Sequence, residues 1–214
     1  MSEKWSPTCL MARGVALGGE GGARLAGWNA SFGEGLSLLL DEEGEAAGLL
    51  LRVLAGEVAP SAGTVRWGEW DVAAWRARSP ESLFWRDPRA PWPEISPEQW
   101  ATELVARYPA WREDDWQRHV QGLALQEHLR KEMFRLSTGG KRKVLLAAAL
   151  ASGAPLTLID EPEAALDHAS IRYLREALGE EARRAGETGR VWVVADYELV
   201  SDVPWRQVIS VASR

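Results

Sequence analysis

The segment Leu136-Ser137-Thr138-Gly139-Gly140-Lys141-Arg142-Lys143-Val144 and, shortly after it, Leu156-Thr157-Leu158-Ile159-Asp160-Glu161-Pro162-Glu163-Ala164-Ala165-Leu166-Asp167 decide how this chain folds. Ser137 and the glycines behind it precede an apolar run that reaches Ala151, which is the pattern of a capped helix start. Such a turn presents a hydroxyl, free backbone amides and the positive end of the helix dipole to an anion. The second segment opens with a short apolar run that ends in two adjacent carboxylates and a proline. It reads as a buried strand with acids at its carboxyl end.

Further short apolar runs, bounded by Gly, Pro, Asp or Glu, place strands at 36–40, 64–67 and 191–195, with an edge strand at 207–211. A helix over 46–55 is closed by Gly56, and 171–185 is amphipathic. This alternation predicts an α/β fold, a mostly parallel sheet flanked by helices. The Gly-rich stretch 18–22 fits a hairpin turn between two early strands, as in an antiparallel N-terminal β subdomain. Between about 88 and 136, prolines are followed by three helical patterns, at 97–107, 112–123 and 126–134. Ser96, with Pro97 and Gln99 after it, is a good helix start. One domain is expected over 1–214, with a core of about 1–87 and 137–214 and a helical insert at about 88–136.

The composition narrows the function. With 214 residues and 46% hydrophobic content the chain can bury a substantial core, and its net charge of −6 argues against a nucleic-acid partner, which needs clustered cations. One cysteine, Cys9, forms no internal disulfide. The N-terminal segment does not read as a signal peptide, and the longest apolar run, 144–151, is far below the roughly 18 to 20 residues that span a bilayer. The expectation is a cytoplasmic protein, at most peripheral to the inner or plasma membrane, that meets a membrane only through a partner. The 12 tryptophans show no fixed period and read mostly as packing residues. His119, His128 and His168 lack metal-ligand spacing and read as solvated helix residues; the run 141–143 reads as the exposed first turn of its helix.

The segment 136–144 is similar to the LSGGQ signature of the ATP-binding-cassette (ABC) nucleotide-binding domains, with Ser137 and Gly139 matching, Thr138 in place of a glycine and Gly140 in place of the glutamine. The segment 156–167 resembles the same family's Walker B strand and D-loop. The resemblance implies a P-loop NTPase-like fold with ATP and magnesium as cofactors, Asp160 holding magnesium and Glu161 polarising the attacking water. It also implies that Asp167 reaches across a dimer, and that Ser137, Thr138, Gly139 and Gly140 serve ATP held by the opposite subunit. Residues 62–67, Ala-Gly-Thr-Val-Arg-Trp, are similar to small stand-alone export-type cassettes that serve heme or cytochrome-maturation transporters.

The family's phosphate loop, GxxxxGK[ST], falls on Asp41-Glu42-Glu43-Gly44-Glu45-Ala46-Ala47-Gly48. Gly44 is the one glycine left inside the loop; Asp41 and Ala46 replace the framing glycines, Ala47 the lysine and Gly48 the hydroxyl residue. Loss of the lysine removes on the order of 4 kcal/mol of attraction to phosphate at an effective dielectric near 20, close to a thousandfold in affinity. Four carboxylates in the loop add repulsion. Arg86 stands at the Q-loop position, Asp196 at the switch histidine, and 18–24 holds no aromatic for adenine. These losses weigh against ATP binding at this chain's own site, while the signature motif could still complete a partner's.

The resemblance therefore implies a degenerate cassette subunit of a membrane transport or remodelling complex, paired with a membrane-spanning subunit and forming a homo- or hetero-dimer with another cassette. Two alternatives stay open on sequence alone: a competent ATPase with a divergent phosphate loop and Glu161 as its catalytic carboxylate, or an interaction or regulatory protein on the same fold.

Overall fold

The protein is described by a computed structural model over residues 9–19, 22–44 and 46–211. In chain order the elements are β1 (Leu10–Gly19), β2 (Gly22–Phe32), β3 (Gly35–Leu40), α1 (Ala47–Leu54), β4 (Ala62–Trp67), β5 (Trp70–Asp71), α2 (Val72–Arg78) and β6 (Leu83–Phe84). Then follow α3 (Pro97–Arg107), α4 (Glu113–Gly122), α5 (Thr138–Ala151), β7 (Leu156–Asp160), α6 (His168–Thr188), β8 (Val191–Asp196) and β9 (Gln207–Ser210). One sheet has the order β2-β1-β4-β5 and is antiparallel; the other has the order β6-β7-β8-β3-β9 and is parallel throughout. The turn expected at 18–22 includes residues 20 and 21, which lie outside the described residues, but Gly18 pairs with Ala23 and Gly19 with Gly22 across it.

The inner parallel strands β3, β7 and β8 are buried on both faces, β9 is half exposed at the edge, and their side chains divide by alternation. Leu156, Leu158, Val191, Val193 and Ala195 pack with α1 and the antiparallel sheet. Ile159 and Trp192 face the other way, onto α5, α6 and the helices of residues 97–122. Of the tryptophans, Trp192 is wholly enclosed and Trp28, Trp67, Trp75, Trp100 and Trp116 nearly so, while Trp70 is half exposed. Trp5 lies outside the described residues.

Two sequence expectations need correction. Residues 126–134 do not form a helix: they make two short 3₁₀ turns, Gln126–His128 and Met133–Arg135. The reason is a diverted hydrogen bond. An α-helix would join the Met133 N–H to the Leu129 carbonyl, but Met133 N–H donates to the Ile95 carbonyl and the Leu129 carbonyl accepts from Glu98 N–H. The segment is thus fastened to the entry of α3 and cannot wind on itself. His119 is not solvated either; it is 1% exposed, because Trp116, His119 and Val120 share the inward stripe of α4. Its Nδ1 lies 2.9 Å from Tyr173 Oη on α6, and burial pushes the imidazole pKa down to about 4.

A buried ionic knot ties these layers together. The Arg190 side chain, 4% exposed, donates to Glu181 Oε2 at 2.6 Å, to the carbonyls of Ala149 and Ala154 and to Thr157 Oγ1. Arg112, just before α4, reaches Glu181 Oε1 at 3.0 Å. One carboxylate on α6 therefore anchors α4, the end of α5 and the start of β8.

Removing one partner of such a knot leaves a buried charge uncompensated, so Glu181→Ala is expected to cost about 3–5 kcal/mol in urea unfolding. A second expectation follows from His119. Its folded-state pKa lies below the ordinary value near 6.5, so the unfolded chain takes up a proton first and stability falls from about pH 6.5 towards pH 4, by roughly 3 kcal/mol in all. Urea unfolding of the wild type and His119→Gln across this range checks it; the variant should lose less stability on acidification.

Candidate functional site

Because β3, β7 and β8 are parallel and adjacent in the order β7-β8-β3, their carboxyl ends open on one edge of the sheet. The chain places acids at all three ends. Asp41 follows β3, Asp160 closes β7 with Glu161 behind it, and Asp196 closes β8. Asp41 N–H donates to the Asp196 carbonyl at 2.9 Å, and Glu161 N–H to the Ala195 carbonyl at 2.8 Å, so the three exits are bonded to one another. Glu161 turns with φ of 45°, a left-handed conformation uncommon outside glycine.

The loop from Asp41 to Gly48 folds back on its own first residue. Asp41 is 4% exposed, and its Oδ2 accepts from the backbone N–H groups of Ala46 and Ala47, each at 2.8 Å. These amides open α1, where the unpaired donors and the helix dipole favour an anion. Gly44 turns with φ of 69° and donates to the Asp41 carbonyl, which lets the loop close over the carboxylate. Glu42 and Glu43 point to solvent; Glu45 lies outside the described residues, as do the side chains of 19–24, where the sequence lacks an aromatic for adenine.

On the neighbouring strand Asp160 is nearly enclosed, and burial raises its pKa while Arg89 pulls it down. Arg89 Nη1 lies 2.7 Å from Asp160 Oδ2, and Nη2 lies 3.2 Å from Glu161 Oε1. Arg142, from the first turns of α5, donates to the main-chain carbonyls of Asp160 and Glu161. Asp196 is also buried, which raises its pKa, and it accepts from Glu198 N–H. Gly48 faces the same point: a Cβ there would stand 3.1 Å from Arg89 Nη1 and 3.5 Å from Asp160 Oδ2.

The glycine turn at 137–140 forms a second group. Ser137 Oγ accepts from Gly140 N–H at 3.0 Å and caps α5. Gly139 backs onto the Ala165 carbonyl so closely that a Cβ would come within 2.3 Å of it, which demands glycine whatever the turn binds. Thr138 is exposed. Asp167 caps α6 through Ser170 N–H and Oγ and pairs with Lys143 Nζ at 2.7 Å, which holds its carboxyl well below the usual range. The basic run 141–143 is thus not an exposed face: Arg142 and Lys143 turn inward to the acids at the ends of β7 and the loop after it. Arg86 belongs to neither group; it stacks on Trp92 at 4.1 Å and donates to the carbonyls of Ala90 and Pro91.

The sequence did not single out Arg89, and it did not reveal that Asp41 turns inward. A signal for the first was present in Asp87-Pro88-Arg89-Ala90, a type I turn sequence with Asp first and Pro second.

The model of the ABC transporter family matches residues 47–164, more than half of the chain. The chain belongs to this family. The cassette is 33% identical over 188 residues to the cytochrome c biogenesis ATP-binding export protein CcmA of Paramagnetospirillum magneticum, covering 85% of this chain and 86% of that protein. Among solved structures it superposes on the ATP-binding subunit of an ABC transporter with a TM-score of 0.75 at 18% identity, covering 91% of this chain and 81% of the other. It also matches a bacterial ABC transporter cassette solved as a dimer, with a TM-score of 0.69 at 17% identity and 88% of each chain covered. The expected α/β fold is that of the cassettes, with the parallel sheet, the antiparallel sheet and the flanking helices all present. Among the described residues no helix is long and apolar enough to cross a membrane.

Because Asp41 satisfies two buried donors at the start of α1, Asp41→Ala is expected to lower stability by about 1–2 kcal/mol in urea unfolding. Asp41→Asn, which retains an acceptor oxygen, should recover part of the loss.

Proposed function

We propose that this chain is a cassette subunit of a membrane transport complex whose own nucleotide site does not hold ATP, and whose signature turn completes the site of a second cassette. One observation carries the reading: the Asp41 carboxylate sits on the Ala46 and Ala47 amides. These are the donors that a phosphate would need at the start of α1. A triphosphate would have to displace a bonded carboxylate and then face Glu42 and Glu43 without a loop lysine. The residues here therefore do not fit a magnesium triphosphate, and no hydrolytic step is assigned to Glu161. ATP and magnesium are cofactors of the family; in this reading they are held by the partner cassette.

The glycine turn at the start of α5 supports the second half of the reading. Ser137, Gly139 and Gly140 retain a capped glycine turn at the start of α5. Asp167, by contrast, is engaged by Lys143 and Ser170 within the chain, so Ser137 and the α5 amides would make the principal contact with the partner's nucleotide. The assignment to a membrane complex is supported by the likeness to CcmA, named as an export protein. A groove of about 360 Å³ beside Arg86, lined also by Arg52, Trp85 and Trp100, offers a face for the membrane subunit. In this reading the chain is one nucleotide-binding domain, with a core of about 1–87 and 137–214 and a helical insert of about 88–136.

Calorimetric titration of the purified chain with Mg-ATP is expected to show no binding tighter than about 1 mM; a Kd below about 100 μM would overturn the reading. Ala47→Lys with Gly48→Thr restores the lost charge and hydroxyl but leaves Asp41 on the amides. The triple variant with Asp41→Gly should bind at least about tenfold more tightly than this double variant.

A further inference from the structure

Asp160 poses an electrostatic problem. Its side chain is 3% exposed, and a carboxylate so enclosed needs a cation or a proton. Arg142 is close, but it donates to the main-chain carbonyls of Asp160 and Glu161. Arg89 bonds the Asp160 carboxylate directly, and its second nitrogen reaches Glu161. We infer that Arg89 is the built-in counter-ion of the Asp160–Glu161 pair and closes it to divalent cations. This rests on the reading that the chain's own site holds no ATP.

Three features of the surroundings support a resident cation over an incidental surface contact. The first is the turn that carries it. Asp87-Pro88-Arg89-Ala90 is closed by Ala90 N–H on the Asp87 carbonyl at 3.1 Å and by Arg89 N–H on Asp87 Oδ1 at 2.8 Å. Proline fixes the second position of such a turn, so little backbone entropy is lost in presenting Arg89. The second is the clasp behind it, where Arg86 bonds the carbonyls of Ala90 and Pro91 and stacks on Trp92. The Arg89 side chain is largely exposed, yet its base is held from both ends.

The third is Gly48. A Cβ at this position would stand 3.1 Å from Arg89 Nη1, a tighter contact than side chains ordinarily make, so the bare backbone of α1 leaves the guanidinium its room. A magnesium ion binds carboxylate oxygen at about 2.1 Å and keeps several oxygen ligands around it. With a guanidinium nitrogen 2.7 Å from the same oxygen, that space and that charge are already taken. Arg89 also joins the loop leading to the helices of 97–122 to the end of β7.

The test uses the full chain without nucleotide, titrated with Mn²⁺ and read by the electron paramagnetic resonance of the free ion. Wild type is expected to show no site at the carboxylate pair. Arg89→Ala, and Arg89→Gln as a second variant that retains polar bulk, should gain one Mn²⁺ per chain, at least about tenfold tighter than any wild-type binding. Adding Asp160→Asn should abolish the gain. A wild-type site of the same affinity, or no gain in either Arg89 variant when circular dichroism reports a native fold, overturns the inference. The Mg-ATP titration separates the two readings. ATP binding by wild type would sink the inactive-site reading, whereas Mn²⁺ binding by wild type without ATP binding would sink only the role of Arg89.

Discussion

Like charges converge at one edge of the parallel sheet, and the rest of the structure is arranged around neutralising them. Parallel strands all deliver their carboxyl ends to the same side, so Asp41, Asp160, Glu161 and Asp196 gather there whatever the loops do. The chain resolves this internally: the α1 amides take Asp41, Arg89 takes Asp160 and Glu161, and Arg142 takes the carbonyls beneath them. The cations come from the loop after β6 and from α5, so charge compensation also fixes how the helical layers sit on the sheet.

The two halves of this compensation are chemically linked to the substitutions that permit them. An acid at position 41 can reach the amides because the loop still turns at Gly44. The Arg89 guanidinium passes close to the bare backbone at 48 on its way to Asp160. The cassette keeps the family's framework, and within it Asp41 bonds the first amides of α1 and Arg89 bonds Asp160 and Glu161.

Away from that edge the fold is held by a different device. Arg190 and Glu181 form an ion pair in an apolar interior, joined by Arg112, and they connect α6 to α4, α5 and β8. Such pairs are expensive to bury but more expensive to break. The helices of 97–122 are thereby tied to the core at two points far apart: through Glu181 at one end of the sheet and through the Arg89 turn at the other.

The alternation of apolar runs, the caps at Ser96 and Ser137 and the acids after β7 are local patterns, and the sequence by itself determined the strands at 36–40, 64–67, 156–160 and 191–195, most of the helices around them and which family the chain resembles, though not β5, α2 or β6. These are legible because strand burial, helix capping and glycine turns depend on residues close in the chain. Where partners are distant, the sequence was silent or misleading. The pattern at 126–134 suits a helix, yet Ile95 and Glu98 take the hydrogen bonds that would have closed it. His119 looks polar, but its place on the α4 stripe buries it against Tyr173. The four acids of the phosphate loop read as simple repulsion, and only the tertiary structure decided that one of them, Asp41, turns inward as a cap. Arg89 lies 71 positions from Asp160, and only the folded chain brings the two within bonding distance. Electrostatic pairing depends on separation in space, which no local pattern encodes.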